Sequence, residues 1–418
     1  MAVNPSIQLG TSGNWAIKED NLLAYKQLGN KFFDREFDFS RGTRATFVGR
    51  NGLIQESGLT DTELVTNGDF ATDSDWTKGA GWSISGGKAN CDGTQTANSN
   101  FYQPITWQTA IYKQTITVSM SSGTLLVYGG NSNASISITS SGTYVFYANI
   151  ILSGNVSDIY IQANSSFIGS IDNVSVKEIQ LDVPRIDFTD DPTGHLLLEP
   201  QSTNLETESA ALTTGWGVVT GATSQIETSI TPFGVSGNVY KLTNATNNPP
   251  SWGSSNILKK QYGVNATDPA SFYTFSVYVK SAGSTTINIQ LRDNSSGPFV
   301  TTGLISLSSE WQRVTISKQF TTSTTAVGIV IAGTDGDILL ADAQFEQKSY
   351  ATSYIPTSGS AVTRNQEICN NSGTVNDFNS EEGVLYAEIA ALANDGTWRV
   401  LGFSDGTTNN RVFIGYSS

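Results

Sequence analysis

The chain carries one histidine, His195, in the stretch PTGHLLLEP, and no GxSxG or HExxH run accompanies it. A histidine-dependent triad or a two-histidine zinc site therefore lacks its raw material. A glycosidase needs only two carboxylates about 5 to 10 Å apart, and the clusters DFTDD (187 to 191) and SEE (380 to 382) supply carboxylates. Such runs read first as solvated turns. What the sequence offers in quantity is aromatic surface beside neutral polar groups. Trp76, Trp82, Tyr102 and Trp107 lie in one stretch, and Trp216, Trp252, Tyr262 and Trp311 in another. Rings stack on the CH faces of a pyranose while amides and carboxylates hydrogen-bond its hydroxyls, which makes these residues candidate saccharide contacts. The competing reading is core, since the opening tryptophan of a sandwich usually packs inside and Trp311 begins an alternating strand. Trp252 stands apart: in NNPPSWGSSN, proline and glycine mark a turn-rich loop where rings stay exposed.

Composition says what must position such residues. Of 418 residues only 14% are charged, with 40 glycines and abundant Ser, Thr and Asn. That suits many short strands joined by turns and suits long helices poorly. The excess of 37 Asp and Glu over 23 Lys and Arg gives a net charge of −14, which repels phosphate backbones and argues against nucleic-acid binding. Cys91 and Cys369 stand too far apart for a metal knuckle and read as unpaired small apolar residues. The amino terminus has no basic stretch leading into an apolar run, and no segment approaches the roughly 18 apolar residues of a membrane span. The expectation is a protein made in a cytoplasm without membrane insertion.

Along the chain, WAIKEDNLLAYKQL (15 to 28) has apolar residues near helical spacing and predicts one helix, stopped by Gly29. From Phe37 onwards period-two alternation takes over and two segments follow one plan. The first runs from TELVTNGDFATDSDW through QTITVSMS to IDNVSVKEI, the second from ALTTGWGVV through YTFSVYVKS to ILLADAQFEQ. Each opens on a tryptophan and closes on a strand with an acidic residue, Asp172 in one and Asp342 in the other. They read as a duplicated β-sandwich. The 49 residues from Asn370 onwards look like the opening strands of a third sandwich, too few to close one of about 100 residues. The sequence is thus expected to end inside a domain.

The stretches between the modules carry a resemblance. FDFSRGTRATFVGRNGLI (37 to 54), VPRIDFTDDPTGHLLLEPQSTNL (183 to 205) and ATSYIPTSGSAVTRNQE (351 to 367) together resemble a framework recurring in bacteriophage tail, fibre and minor structural proteins. There a jelly-roll follows the Leu-Glu-Pro segment, and Tyr-Ile-Pro-Thr leads into a concanavalin A-like or laminin-G-like domain. The module inserted between Ile54 and Val183 resembles a family 4/9 carbohydrate-binding jelly-roll, on NGDFATDSDWTKGAGWSISGGKA and IDNVSV.

The resemblance implies an all-β chain of tandem jelly-rolls with a short, partly helical N-terminal anchor. Its parts would be a virion-docking segment (1–36), framework (37–61), a first jelly-roll (62–181), framework (182–205), a second jelly-roll (206–349), a linker (350–369) and an incomplete concanavalin A-like sandwich (370–418). It implies a non-enzymatic virion protein, a tail or head fibre displayed on the particle exterior and attaching to host surface glycans. A purely structural adaptor of head, tail or baseplate and a tailspike depolymerase are the alternatives. Trp15, Leu22, Leu23, Tyr25, Phe32 and Phe33 are too apolar for a solvated tail and would dock onto other virion proteins. A homotrimer is the expected assembly. In such modules an aspartate of the closing strand helps hold structural calcium, which takes six to eight oxygens, so Asp172, Asp342 and the loop residue Asp69 are the candidate ligands. The competing reading is a carboxylate bonded to nearby backbone.

Overall fold

The computed structural model describes residues 15–18, 21–27, 31–34, 38–129, 135–151, 158–192, 194–246, 249–264, 271–320, 324–370, 389, 399–404, 407 and 409–416. Every regular element among them is a strand. The chain divides into two compact units, one of residues 40–185 with 228–238, the other of 1–39, 186–227 and 239–418.

The segment expected to be helical is not. Trp15–Lys18, Asn21–Gln27 and Lys31–Asp34 form a three-stranded antiparallel meander, with Trp15 opposite Tyr25 and Tyr25 opposite Phe33. The strands are four, seven and four residues long, and runs that short do not repay helix nucleation. Leu28 and the side chains of the expected docking residues lie outside the described set.

The first sandwich comprises β1 (Thr77–Lys78), β2 (Trp82–Ser85), β3 (Lys88–Cys91), β4 (Ser99–Pro104), β5 (Ala110–Ser122), β6 (Leu125–Gly129), β7 (Ser135–Ile138), β8 (Gly142–Ile150), β9 (Asp158–Ala163) and β10 (Ile168–Ile179). One sheet has the order β7-β6-β9-β4-β1, the other β8-β5-β10-β3-β2. Inward residues alternate as period two demands: Phe101, Val127 and Ile161 from one sheet meet Ile116, Ile171 and Val176 from the other. Trp76 stacks on Phe101 at 4.7 Å and Trp82 on Phe101 at 4.9 Å, so an aromatic ladder fills one end of the core.

The second sandwich comprises β11 (Gly217–Val218), β12 (Thr223–Ile230), β13 (Ser236–Thr243), β14 (Leu258–Gly263), β15 (Phe272–Ser281), β16 (Thr286–Asp293), β17 (Phe299–Thr301), β18 (Ile305–Ser306), β19 (Gln312–Gln319), β20 (Ala326–Gly333) and β21 (Asp337–Glu346). Its sheets run β11-β14-β20-β16-β17, with β18 also on β16, and β12-β13-β21-β15-β19. Apart from β18, this is strand for strand the order of the first sandwich.

The duplication extends to single hydrogen bonds. The Leu64 N–H donates to Val176 O at 3.0 Å and the Leu205 N–H to Phe345 O at 2.8 Å. Glu63 Oε1 accepts from the N–H groups of Val65 and Val176, and Asn204 Oδ1 from those of Glu206 and Phe345. Each closing strand carries a bulge whose outgoing N–H returns to the opening loop, Val174 to Gly68 O and Ala343 to Ser209 O, both at 2.9 Å. This register corrects one expectation. Thr117 faces Asp172 and Tyr278 faces Ala341, so Asp342 corresponds to Asn173, not to Asp172. Asn173 and Asp342 hold the left-handed bulge position, each at φ 52°, which short polar side chains tolerate best after glycine.

The framework around the first sandwich is tied by Arg41. Its guanidinium donates to Thr43 O at 2.6 Å, Val183 O at 3.0 Å and Leu181 O, while its N–H meets Asp182 Oδ1. Residues 41–57 and 181–185 therefore meet although a whole module intervenes. In the second unit, Arg364 is fully buried and donates to Pro200 O at 3.1 Å and pairs with Glu199 at 3.3 Å. At the far end Arg399–Ser404 and Arg411–Tyr416 pair as an antiparallel hairpin.

Candidate saccharide-binding face

Period two sends Tyr102, Tyr160 and Tyr128 to the outer face of the first sandwich, on the neighbouring strands β4, β9 and β6. Register then lines them up: Tyr102 lies opposite Tyr160, and Tyr160 opposite Tyr128. The ring centroids are 5.7 Å and 5.9 Å apart, the first pair stacked and the second edge-on. All three rings are half-buried. The next row on the same face is Asn100, Gln162 and Leu126. There Gln162 Nε2 donates to Asn100 Oδ1 and Asn98 Nδ2 to Gln162 Oε1, both at 3.1 Å, which fixes the amides' direction. Partial burial, and then the neighbouring phenols Tyr102 and Tyr128, hold the Tyr160 hydroxyl above its ordinary pKa. It is a neutral donor at physiological pH. A surface depression of about 340 Å³ adjoins Tyr102, between Thr77, Lys78, Asn98 and Asn100. Apolar ring faces beside fixed amides and hydroxyls are what a sugar's two kinds of surface require.

Most of the aromatic residues singled out in the sequence lie elsewhere. Trp76, Trp82 and Trp107 are 6%, 7% and 3% exposed and belong to the core, where the gain from burying an indole outweighs any use at the surface. Tyr262 is 8% exposed and stacks on Phe345 at 4.2 Å. These four are corrected from contact candidates to core. Tyr102 alone of the first group reaches the face, and Tyr128 and Tyr160 were not among the candidates at all. Their signal was present, since LLVYG and DIYIQA put tyrosine at the polar phase of alternating strands.

The same face of the second sandwich is closed. There the row is Lys259, Val330 and Gln290, matching Tyr102, Tyr160 and Tyr128 in register. The loop 249–256 lies across it. Gln290 Nε2 donates to Pro250 O at 2.9 Å, Lys259 Nζ donates to Trp252 O at 3.1 Å, and the Trp252 ring packs over Val330 and Ala332. Trp252 is accordingly half-buried, not a free loop ring. Gly328 makes room for it, since a β-carbon there would come within 2.8 Å of the indole. Trp311 packs part-buried against Val239, Leu339 and Ala341, and Trp216 against Phe275 at 5.8 Å.

The second sandwich also buries charge that the first does not. Glu206 accepts from Lys260 Nζ at 2.7 and 2.8 Å, from Trp216 Nε1 at 2.9 Å and from the Tyr262 hydroxyl. In the first sandwich the corresponding positions are Val65 and Gln103. Lys260 Nζ also donates to Thr214 O, and Gln103 Nε2 to Asp75 O. The Glu206 proximity raises the Tyr262 hydroxyl further after burial has raised it, so the phenol stays protonated. With every partner internal, this cluster is structural cement.

Among the described residues no three acidic, histidine or cysteine side chains converge as metal ligands. Asp342 is 4% exposed, its carboxyl pushed up to about 7 by burial against the pull of Tyr354 and Arg313. Asp69 is exposed and Asp172 half-buried, each accepting from backbone N–H groups of its own turn, of Ala71 and Asn173 respectively. The nearby Gly68 carbonyl is taken by Val174. In the cluster 187–191, Asp190 and Asp191 are exposed, but Asp187 is 6% exposed and caps the Thr189 N–H, which corrects the expectation of a wholly solvated turn. Residues 380–382 lie outside the described set. His195 is exposed, and Cys91 is buried, which raises its thiol pKa, while Cys369 is half-exposed.

No family model matches the chain, and no curated protein was found to be similar to it. Solved structures similar to it are mainly carbohydrate-binding modules. The N-terminal CBM22-1-CBM22-2 tandem domain of Paenibacillus barcinonensis Xyn10C is 11% identical, with a TM-score of 0.25 over 70% of this chain and 98% of that one. A CBM4 structure is 17% identical, with a TM-score of 0.23 over 32% of this chain and 86% of that one. The enzymatically active domain of tailspike protein 4 from bacteriophage CBA120 is 12% identical, with a TM-score of 0.27 over 34% of this chain and 21% of that one.

Proposed function

We propose that the chain is a non-enzymatic, glycan-binding virion appendage in which the first sandwich holds neutral saccharide across Tyr102, Tyr160 and Tyr128. The observation that carries the binding reading is the tyrosine row itself, three half-buried rings on three hydrogen-bonded strands, flanked by the ordered amides of Asn100 and Gln162. The virion setting is supported by the framework motifs around Arg41, Arg185 and Arg364. All three are buried, and Arg41 ties residues 41–43 to 181–183 while Arg364 pairs with Glu199. On this reading the N-terminal meander docks onto other virion proteins, the assembly is a homotrimer, and the sandwiches face outward from the particle.

The test is a glycan array probed with the full chain, followed by titration of the best neutral oligosaccharide. Truncating one stacking ring should cost roughly 1 to 2 kcal/mol of affinity. Tyr160→Ala is expected to weaken binding roughly five- to thirtyfold, while Tyr160→Phe keeps most of it. A silent array, with Tyr128 and Tyr160 protected from footprinting in assembled particles, would establish the adaptor reading instead. That second reading has its own support: the opening tryptophans of the first module are core residues, and the second module's equivalent face is already filled.

A further inference from the structure

The surface depression beside Tyr102 lies where β1, the edge of its sheet, meets the start of β4. Its walls are held from inside. Gln95, 3% exposed, donates through Nε2 to Asn164 O at 3.0 Å and to Phe167 O at 2.7 Å, which pins the loop that leads into β4. The Ser99 hydroxyl donates to Ala80 O at 2.6 Å and the Gly79 N–H to Asn100 O at 2.8 Å, which pin the turn after β1. At about 340 Å³ the depression stands at the small end of ligand sites, which run from roughly 300 to 1,000 Å³.

The lining sets what fits. Tyr102 borders the depression and Tyr160 does not, although their rings stack at 5.7 Å. One face of the Tyr102 ring is therefore spent on Tyr160, and the face turned away from it is left for a ligand. The amides of the next row add two unused groups. Asn98 Nδ2 donates to Gln162 Oε1 and Gln162 Nε2 to Asn100 Oδ1, which leaves Asn98 Oδ1 as an acceptor and Asn100 Nδ2 as a donor, neither with a protein partner. Both residues line the depression, Asn98 exposed and Asn100 half-buried. Lys78, the charged residue of the lining, is paired with Asp73. A ring face, a donor and an acceptor around a space of this size match one neutral pyranose. Its CH face meets the ring, one hydroxyl accepts from Asn100 Nδ2, and the neighbouring hydroxyl donates to Asn98 Oδ1.

We propose that the depression is a terminal-sugar subsite, which takes one neutral pyranose unit from the non-reducing end of a chain or from a single-unit branch. The proposal rests on the reading of the first sandwich as a saccharide binder and specifies which part of the saccharide is recognised. With the anomeric carbon directed outward to the rest of the glycan, the opposite ring edge enters first. Both hydroxyls of that edge are free in a terminal unit, whereas an internal unit linked through that edge has lost one of them to the glycosidic bond.

The experiment titrates the full chain with the methyl glycosides of glucose, galactose, mannose and N-acetylglucosamine, each a single unit too short to span the tyrosine row. Saturable binding of at least one is expected, and its loss in the 4-O-methyl ether of that same glycoside. Asn98→Ala and Asn100→Ala should each weaken binding roughly three- to tenfold, with an unchanged melting midpoint showing that the variants fold. A linear oligosaccharide ending in the bound sugar and a branched one carrying it as a side unit then tell the two sources apart, and binding of either supports the subsite. Failure of all four glycosides, an ether that binds as well as its parent, or variants that bind as the unaltered chain does would each overturn the proposal. The outcome is separable from that of the tyrosine row. A long oligosaccharide that binds while all four glycosides fail keeps the row and removes the subsite; a glycoside that gains nothing from added units keeps the subsite and removes the row.

Discussion

The two sandwiches share strand order, the returning bulge and the hydrogen bonds that seat their opening segments, yet they differ in everything a partner would touch. In the first, the outer face exposes Tyr102, Tyr160 and Tyr128, and the core position beside the opening strand is Val65. In the second, the row is Lys259, Val330 and Gln290 under a loop of the same module, and the core position is Glu206, paired with Lys260. Fold is thus fixed by backbone bonds that tolerate side-chain change, such as Glu63 and Asn204 serving the same two N–H groups. Faces and core polarity are free to drift apart.

The difference in the cores is the one whose disruption should cost most. Removing one member of a buried ion pair strands the other, typically at ~3 to 5 kcal/mol. Glu206→Ala is expected to destabilise the second sandwich by about that amount, read as faster hydrogen exchange in peptides 272–281 and 337–346 with 110–122 unchanged. The triple change Glu206→Val, Lys260→Gln and Tyr262→Ile, which copies Val65, Gln103 and Ile105 of the first sandwich, should recover most of the loss. If the triple variant is as unstable as the single one, the two cores are not interchangeable and the register match does not extend to their packing.

The bulge offers a smaller and pH-dependent contrast. Asp342, with its carboxyl near 7, binds a proton in the folded chain between the ordinary carboxylate range and pH 7 that the unfolded chain has already lost. Its contribution to stability is therefore present at low pH and lost as pH rises through about 7. Asn173 holds the same φ in the first sandwich without a charge. Asp342→Asn should raise the stability of the second sandwich at pH 8 by on the order of 1 to 3 kcal/mol and leave it unchanged near pH 4. A chemical-denaturation series across that range checks the sign.

The closure of the second face should yield to one methyl group. Gly328→Ala would push a β-carbon into the Trp252 indole, and the loop can lift where the strand cannot. A cost of about 1 kcal/mol with increased oxidative footprinting of Trp252 is expected. An unmoved Trp252 would mean that the strand shifts instead and that the loop is an integral layer.

How much of this was legible beforehand follows from what register requires. Period-two alternation marked nearly every strand of both sandwiches, and the framework arginines, Arg41, Arg185 and Arg364, stand in motifs that sequence alone picks out. Alternation also put Tyr128 and Tyr160 on an outer phase, but bringing them together needs the pairing of β6 with β9, set by bonds between residues over 30 positions apart. The same gap misplaced Asp342 against Asp172, because a bulge shifts a strand by one residue and leaves no trace in hydrophobic pattern. Trp76, Trp82 and Trp107 were assigned to the surface as one alternative; volume decided for the core. Glu206 and Lys260 drew no notice, since a buried pair looks in sequence like any two surface charges.

The smallest expected effect concerns calcium, and it also bears on the comparison. Both bulges spend an opening-loop carbonyl on a backbone N–H, Gly68 on Val174 and Ser209 on Ala343. A metal held by Asp172 and Asp69 would have to compete with that bond in the first sandwich, and in the second the acid is buried with its carboxyl pushed up to about 7. An ion bound only to the folded state raises stability with the logarithm of its excess over the dissociation constant, by ~2.7 kcal/mol at a hundredfold excess. Melting the full chain in calcium and in chelator should therefore give the same midpoints. A midpoint raised by calcium and abolished by Asp172→Ala would show that the first sandwich opens its bulge to hold an ion, and would separate the two modules at the one point where their backbones now agree.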